Sequence, residues 1–482
     1  MSNIHQTRSD LCDLSLAAAA QAIATGTLSA TDYATALLQN ARLHVDLKAF
    51  ITLDEDYVLE AAHKADLERQ AGIMRGLLHG VPIAVKDSIN TQDLPTSIGT
   101  SVLANFRPAE DAVVVKAMRS AGAIVFGKSN LVEMSYGLTG LNAHYGQVKN
   151  PYDLERITGG SSSGAGAAVA ARIVPAALGG DTVGSIRVPS SLCGVVGFRP
   201  STGRWPAAGV APISDTLDTA GPMARTVEDC AILDAIATGE VWHPRAPAAG
   251  LKGLRFGYAP KQHLDLVDSD VESCFSRALA ALKEAGAEIV EVDMGADFHA
   301  LAFKANWPIF ARETRPSVTG FLAVHGTAAT FEEIYEGLGT GIKSVWANSV
   351  LLDAPGSVSV QDYYASVNLH RPALQQRFAQ VYREYWLDGL IFPTTPTVAP
   401  PIASHAQFDV AGHAANRITL ARNTFPGSCA GLPGISIPIG LSPAGLPIGM
   451  EIDGTRNGDV ALLEAAARIF GVLGPIAAPN PA

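Results

Sequence analysis

From Gly159 to Pro189 the chain reads GGSSSGAGAAVAARIVPAALGGDTVGSIRVP, and this stretch restricts the fold more than any other. It opens with Gly159, Gly160, Ser161, Ser162 and Ser163, and ends on a second turn made of Asp181, Thr182, Val183, Gly184 and Ser185. The Ala-rich run from Gly166 to Ala171 between them favours helix. Two serine-bearing turns therefore flank one short helix and the segment that follows it. Glycine at such turns admits backbone angles that other residues resist. It also lets successive N–H groups point into one concavity, which suits a developing oxyanion. Upstream, in GVPIAVKDSI, Lys86 closes an apolar run where burial would lower its pKa. A serine nucleophile needs a base, and a desolvated lysine is one chemical solution.

These residues resemble the amidase signature hydrolases, and the resemblance runs from about Leu14 to about Phe470. Ser161 follows Lys86 by 75 residues and Ser185 follows Ser161 by 24, as in members of that family. The resemblance implies Ser185 as nucleophile, Ser161 as proton relay after a cis peptide, and Lys86 as general base, uncharged at rest. It implies an oxyanion hole from the backbone N–H groups of Thr182, Val183, Gly184 and Ser185, with Ser162, Asp181 and Arg187 in support. The family usually carries Gly where Val183 stands. Valine keeps the N–H but resists positive φ, so either that position has ordinary angles or the hole is reshaped. Gly137 and Leu138 lie in a segment that lines the site in family members, and are candidate substrate contacts. The implied chemistry uses neither metal nor cofactor. For Lys86 to act as base near neutrality its pKa must fall from ~10.4 to nearer ~7, which costs roughly 4–5 kcal/mol of burial.

Two shorter motifs compete for the same region of the chain. Gly122 to Ser129 (GAIVFGKS) fits the phosphate-loop pattern, but that motif needs a loop between its glycines, and AIVF reads as a strand. Lys128 is expected to be structural. Gly160 to Gly164 fits the nucleophile elbow G-x-S-x-G with Ser162 as nucleophile. An elbow follows a buried strand, whereas PYDLERIT reads as polar loop, and no later histidine stands in a context that marks it as the base. A Ser–His–Asp esterase is thus an alternative reading. His144, near Asn142 and Tyr145, reads as a hydrogen-bonded structural group rather than a ligand.

Along the chain, helix and strand patterns alternate. Residues 14–43 read as two helices split at Gly26, with Ser29 or Thr31 as a cap. Leu78–Val85, Ala123–Phe126, residues 192–199, Leu254–Tyr258, Ala287–Val292, Gly389–Phe392, Ile435–Pro438 and Pro447–Ile452 read as strands. Ala112–Ser120 (with Val113, Val114 and Met118 on one side), Asp270–Ala285, Arg417–Ala430 and Val460–Phe470 read as helices. The expected fold class is α/β: a mixed, largely buried sheet covered by helices on both faces. All 482 residues are expected to form one domain, with the mainly helical segment 296–385 as an insertion or cap lining the substrate pocket.

Composition excludes several partners. A net charge of −11 argues against nucleic acid, which needs a basic face. The longest apolar runs, such as Ala167 to Leu178, fall short of the ~18 residues of a membrane span and contain Arg172. The start, MSNIHQTRSD, lacks an apolar leader. Five scattered cysteines without a CxxC read as reduced thiols. A cytoplasmic enzyme acting on a small amide is expected, and a homodimer is left open. The segment 296–385 carries Phe303, Trp307, Phe310, Phe321, Phe331, Tyr335, Trp346, Tyr363 and Tyr364. Core packing will claim most of these; if several line the pocket, an aromatic acyl group is expected. Phe198 to Ser214 looks most like bacterial indoleacetamide and mandelamide hydrolases, which implies an aryl or arylacetamide substrate. A second option is the family's amidotransferase subunit, which releases ammonia from glutamine for a partner.

Overall fold

A computed structural model describes residues 7–243 and 250–479. Part of the stretch read as lacking a leader, residues 1–6, lies outside the described residues. Among the described residues eleven strands form one mixed sheet in the spatial order Phe50–Thr52, Ile124–Ser129, Pro82–Lys86, Ala176–Asp181, Thr219–Ala224, Val196–Arg199, Gly434–Leu441, Pro447–Asp453, Gly389–Pro393, Arg255–Tyr258, Glu288–Glu291. Pro82–Lys86 runs parallel to both of its neighbours, and the register places Ala84 beside Ala177 and Lys86 beside Ser129. The strand–helix–strand unit read from sequence is present: Arg255–Tyr258 and Glu288–Glu291 pair in parallel around the helix Ser269–Glu284. Among the described residues no helix is long and apolar enough to cross a membrane.

The Ala-rich helix forms over Ser163–Ala170, and every one of its residues is buried. Small residues are required because backbone passes on several sides. A Cβ on Gly164 would collide with the Ala49 carbonyl and the Asn130 backbone. The chain then turns into the central strand Ala176–Asp181, so both serine turns sit at the edge of the sheet's buried middle. The first two expected helices form as Leu16–Thr25 and Ala30–Leu43, divided at Gly26 in the left-handed region, and Ser29 rather than Thr31 caps the second.

Several expected boundaries move. The strand before Lys86 starts only at Pro82, because Leu78 to Val81 turn to pair with Ala121 and Gly122. Leu192 and Cys193 finish the helix Arg187–Cys193, and the strand begins at Val196 after the left-handed Gly194. Val113 is exposed and its place on the buried face belongs to Val115. Arg417–Ala430 is two pieces, Arg417–Ala421 and Phe425–Ala430, broken before Pro426; proline at a second helix's start ends the reach of the first.

Candidate active site

Lys86 is the last residue of its strand and is fully enclosed. Its Nζ lies 2.8 Å from Ser161 Oγ and 3.5 Å from the Gly180 carbonyl oxygen. Burial pulls its pKa from the ordinary 10.5 down to about 7, with the carboxylates of Asp218 and Asp181 opposing part of the fall. A lysine in this state is about half uncharged at neutral pH, and that form can accept a proton.

Ser161 follows a cis peptide with Gly160 and is completely buried. Next to it, Ser162 donates its hydroxyl to Gly180 O at 3.1 Å and accepts from the Gly180 N–H at 3.2 Å. Its own N–H donates to Ser185 O at 3.1 Å, which ties the two serine turns together. The residues before it, read as a polar loop, form instead the strand Asp153–Ile157 of a small ribbon with Lys149–Asn150, apart from the main sheet.

Asp181 organises the second turn. Its carboxylate accepts from the N–H groups of Gly184 (2.8 Å) and Ile186 (3.1 Å), from Arg187 Nε (3.1 Å) and from Arg199 Nη1 (2.9 Å). Burial alone would raise its pKa, but the two guanidinium groups hold it well below the usual carboxylate range. Arg187 continues the network inward to Glu451, Ser428 and the Thr424 carbonyl. Gly184 has φ 136°, and a Cβ there would collide with Thr424 Oγ1, so glycine is required. Val183 is not among the residues with positive φ, so its angles are ordinary ones for valine, and its carbonyl accepts from Thr424 Oγ1 at 2.6 Å.

The donor set expected from the sequence needs one correction. The Gly184 N–H already binds Asp181, so it braces the turn. Among the described residues, the N–H groups of Thr182, Val183 and Ser185 have no protein acceptor. Thr182 is held from the side: its hydroxyl donates to Asp218 Oδ1 at 2.5 Å. Asp218 also accepts the N–H groups of Ile213 and Ser214, and burial pushes its pKa up to about 6 despite these bonds.

Ser185 opens onto a cavity of about 760 Å³, counting its open mouth. Its walls include Tyr136, Leu138, Ile213, Phe303, Trp307 and Phe310, with Gly137, Thr182 and Val183 beside the serine. Of the aromatic residues in 296–385, Phe303, Trp307 and Phe310 therefore face the cavity. Phe331 and Trp346 stack on each other in the core, Phe321 is buried there too, Tyr363 binds Glu313 and Tyr364 is exposed.

The competing motifs resolve on geometry. Ile124–Ser129 is a strand, and Lys128 Nζ is buried, donating to Ile89 O, Pro95 O and Thr96 Oγ1. His144 lies 2.9 Å from Glu133 Oε1 and 3.1 Å from Gly337 O. No histidine lines the cavity among the described residues. Sequence reasoning passed over Arg199, Asp218, Asn306, Arg417, Glu451 and Asp453. A signal existed for the last two, which alternate as acidic residues within the otherwise apolar strand Pro447–Asp453. A buried acid there must meet a cation.

Comparison with known proteins shows the family. Residues 33–463 match the model of the amidase family. A mandelamide hydrolase of Pseudomonas putida is 38% identical over 446 residues, covering 89% of this chain and 85% of that protein. An indoleacetamide hydrolase of Rhizobium radiobacter is 35% identical over 429 residues, covering 89% of this chain and 90% of that one. Among solved structures, one described as an amidase superposes with a TM-score of 0.85 at 29% identity, covering 96% of this chain and 100% of the other.

Proposed function

This chain belongs to the amidase family, and on that premise we propose that it hydrolyses an aryl or arylacetamide-type carboxamide to the acid and ammonia or amine. The observation that carries the proposal is the buried Lys86, its pKa pulled down to about 7, with Nζ 2.8 Å from Ser161 Oγ and both beside the turn that bears Ser185.

In this mechanism Lys86 accepts the Ser161 proton while Ser161 takes the proton of Ser185, whose Oγ attacks the amide carbon. The carbonyl oxygen becomes an oxyanion, met by the N–H groups of Thr182, Val183 and Ser185. Removing one such donor typically costs about 10²–10³ in rate. The same relay then runs backwards, delivering the proton to the departing nitrogen as the C–N bond breaks. Water, deprotonated along the same path, hydrolyses the ester on Ser185 and restores the three side chains. The helical segment 296–385 serves as the cap, since Phe303, Trp307 and Phe310 supply much of the cavity wall. The three aromatic side chains on that wall support an aromatic acyl group.

The test is direct. Purified alone, the protein should turn over aromatic amides, and a denatured-quench experiment should show an acyl mass on Ser185. Ser185→Ala should lose at least about 10⁴-fold in kcat with an unchanged circular dichroism spectrum. An acyl adduct on Ser162 would reject the mechanism.

A further inference from the structure

The long helix Phe298–Val324 brings Phe303, Trp307 and Phe310 to the cavity. One turn further along it, Glu313 meets the segment 213–218. The Glu313 carboxylate is half-buried and, among the described residues, makes no ion pair. It accepts instead four hydrogen bonds from uncharged donors: Ser214 Oγ at 2.5 Å, the Thr216 N–H at 3.1 Å, Thr216 Oγ1 at 2.7 Å and the Tyr363 hydroxyl at 2.9 Å. A carboxylate offers about four acceptor sites, so this one is filled.

Three of those four bonds go to one short segment, and that segment reaches the second serine turn. Its Asp218 takes the Thr182 hydroxyl on Oδ1 and the N–H groups of Ile213 and Ser214 on Oδ2. The Ser214 hydroxyl also accepts the Leu217 N–H at 3.2 Å. Hydrogen bonds therefore run without a break from Glu313 through Ser214 and Asp218 to Thr182. A carboxylate withdrawn from water and facing no cation destabilises the fold. What it supplies is geometry, because hydrogen bonds to a charged acceptor are shorter and stronger than neutral ones.

We propose that Glu313 is a positioning residue for the reaction: it fixes the segment 213–218 so that Asp218 holds Thr182, and with it the N–H groups of the serine turn, where the oxyanion forms. The assignment rests on the mechanism proposed above. It makes the helix that walls the cavity also the support of the oxyanion hole, so Glu313 acts on the transition state without touching substrate. A carboxylate that only packed the helix against its neighbours would affect stability and leave kcat in place.

The experiment measures kcat and KM for phenylacetamide across a double-mutant cycle. Glu313→Ala should lower kcat by about tenfold or more, with KM within about threefold. In Glu313→Gln the amide oxygen still accepts from the segment, and the amide N–H can donate to the Thr216 and Tyr363 hydroxyl oxygens. Its kcat should return to within about threefold of the unaltered protein. In a Thr182→Val background the link to the turn is already cut, so Glu313→Ala should there cost no more than about twofold in kcat. Full kcat in Glu313→Ala, a loss confined to KM, a Gln variant as slow as the Ala variant, or the same loss recurring in Thr182→Val would each overturn the inference. Thr216→Val leaves Glu313 in place, removes one bond and should lower kcat about threefold; it decides the matter if Glu313→Ala fails to fold, and an unaltered kcat there would overturn the inference. All these failures leave the proposed mechanism standing. Turnover that survives Ser185→Ala, or no turnover of phenylacetamide at all, would instead overturn the proposed function, and this inference with it.

Discussion

Replacing Lys86 by Met tests the central electrostatic claim in the folded protein, independently of any substrate. Folded Lys86 holds its proton only below about 7, whereas an unfolded lysine holds it to about 10.5. Between these values the unfolded chain carries the extra proton, so stability rises with pH through that window. At pH 6.5 the buried site costs the folded state about 4–5 kcal/mol, and at pH 9.5 only about 1–2 kcal/mol, taking 1.36 kcal/mol per pKa unit. Methionine has a similar reach and no titration. It also removes the hydrogen bond to Ser161, a loss of about 1–3 kcal/mol that does not change with pH. The stability difference between Lys86→Met and the unaltered protein should therefore shift by about 3 kcal/mol in the variant's favour on going from pH 9.5 to pH 6.5. Urea unfolding followed by circular dichroism at the two pH values measures it, and the double difference cancels the hydrogen-bond and packing terms. A double difference near zero would mean that Lys86 titrates like a solvated lysine, and it would remove the general base.

Three further outcomes follow from the same network. Asp218→Asn removes the carboxylate that most favours charged Lys86, so the acid limb of the kcat/KM profile should move to lower pH; a limb that stays put or moves up would separate Asp218 from the base. Asp181→Asn leaves Arg187 and Arg199 short of a buried anion, so urea unfolding should show a loss of about 3–5 kcal/mol, together with a fall in kcat; a variant of unaltered stability would contradict the bracing role. Gly184→Ala forces a side chain onto Thr424 at φ 136°, and steady-state kinetics should show kcat reduced by about 10²-fold or more from the displaced donors; retention of full kcat would show that the turn is not shaped for the oxyanion.

Much of the site was legible because its chemistry is local. Glycine and serine cluster where backbone must turn sharply, and Lys86 closes an apolar run that could only be buried. What stayed hidden was assembled across the sheet. Asp218 sits 36 residues beyond Thr182, yet its carboxylate accepts the Thr182 hydroxyl. Arg187 meets Glu451 across 264 residues because their strands and helix converge behind the turn. Chain position cannot reveal that the Gly184 N–H is bound to Asp181, a contact that exists only once the turn is folded. The helix read through Arg417–Ala430 failed for a local reason, the break before Pro426. That break also places Arg417 and Phe425 on the cavity wall.

Sequence alone determined the kind of fold and the two serine turns, and pointed to the candidate reacting groups, since small residues, a stranded lysine and apolar periodicity act over a few neighbouring positions. Tertiary structure decided the pKa of Lys86, which N–H groups of the second turn are left unbound and the character of the cavity. Each of these depends on desolvation and on partners brought together from distant segments, and neither is a property of any one stretch of chain.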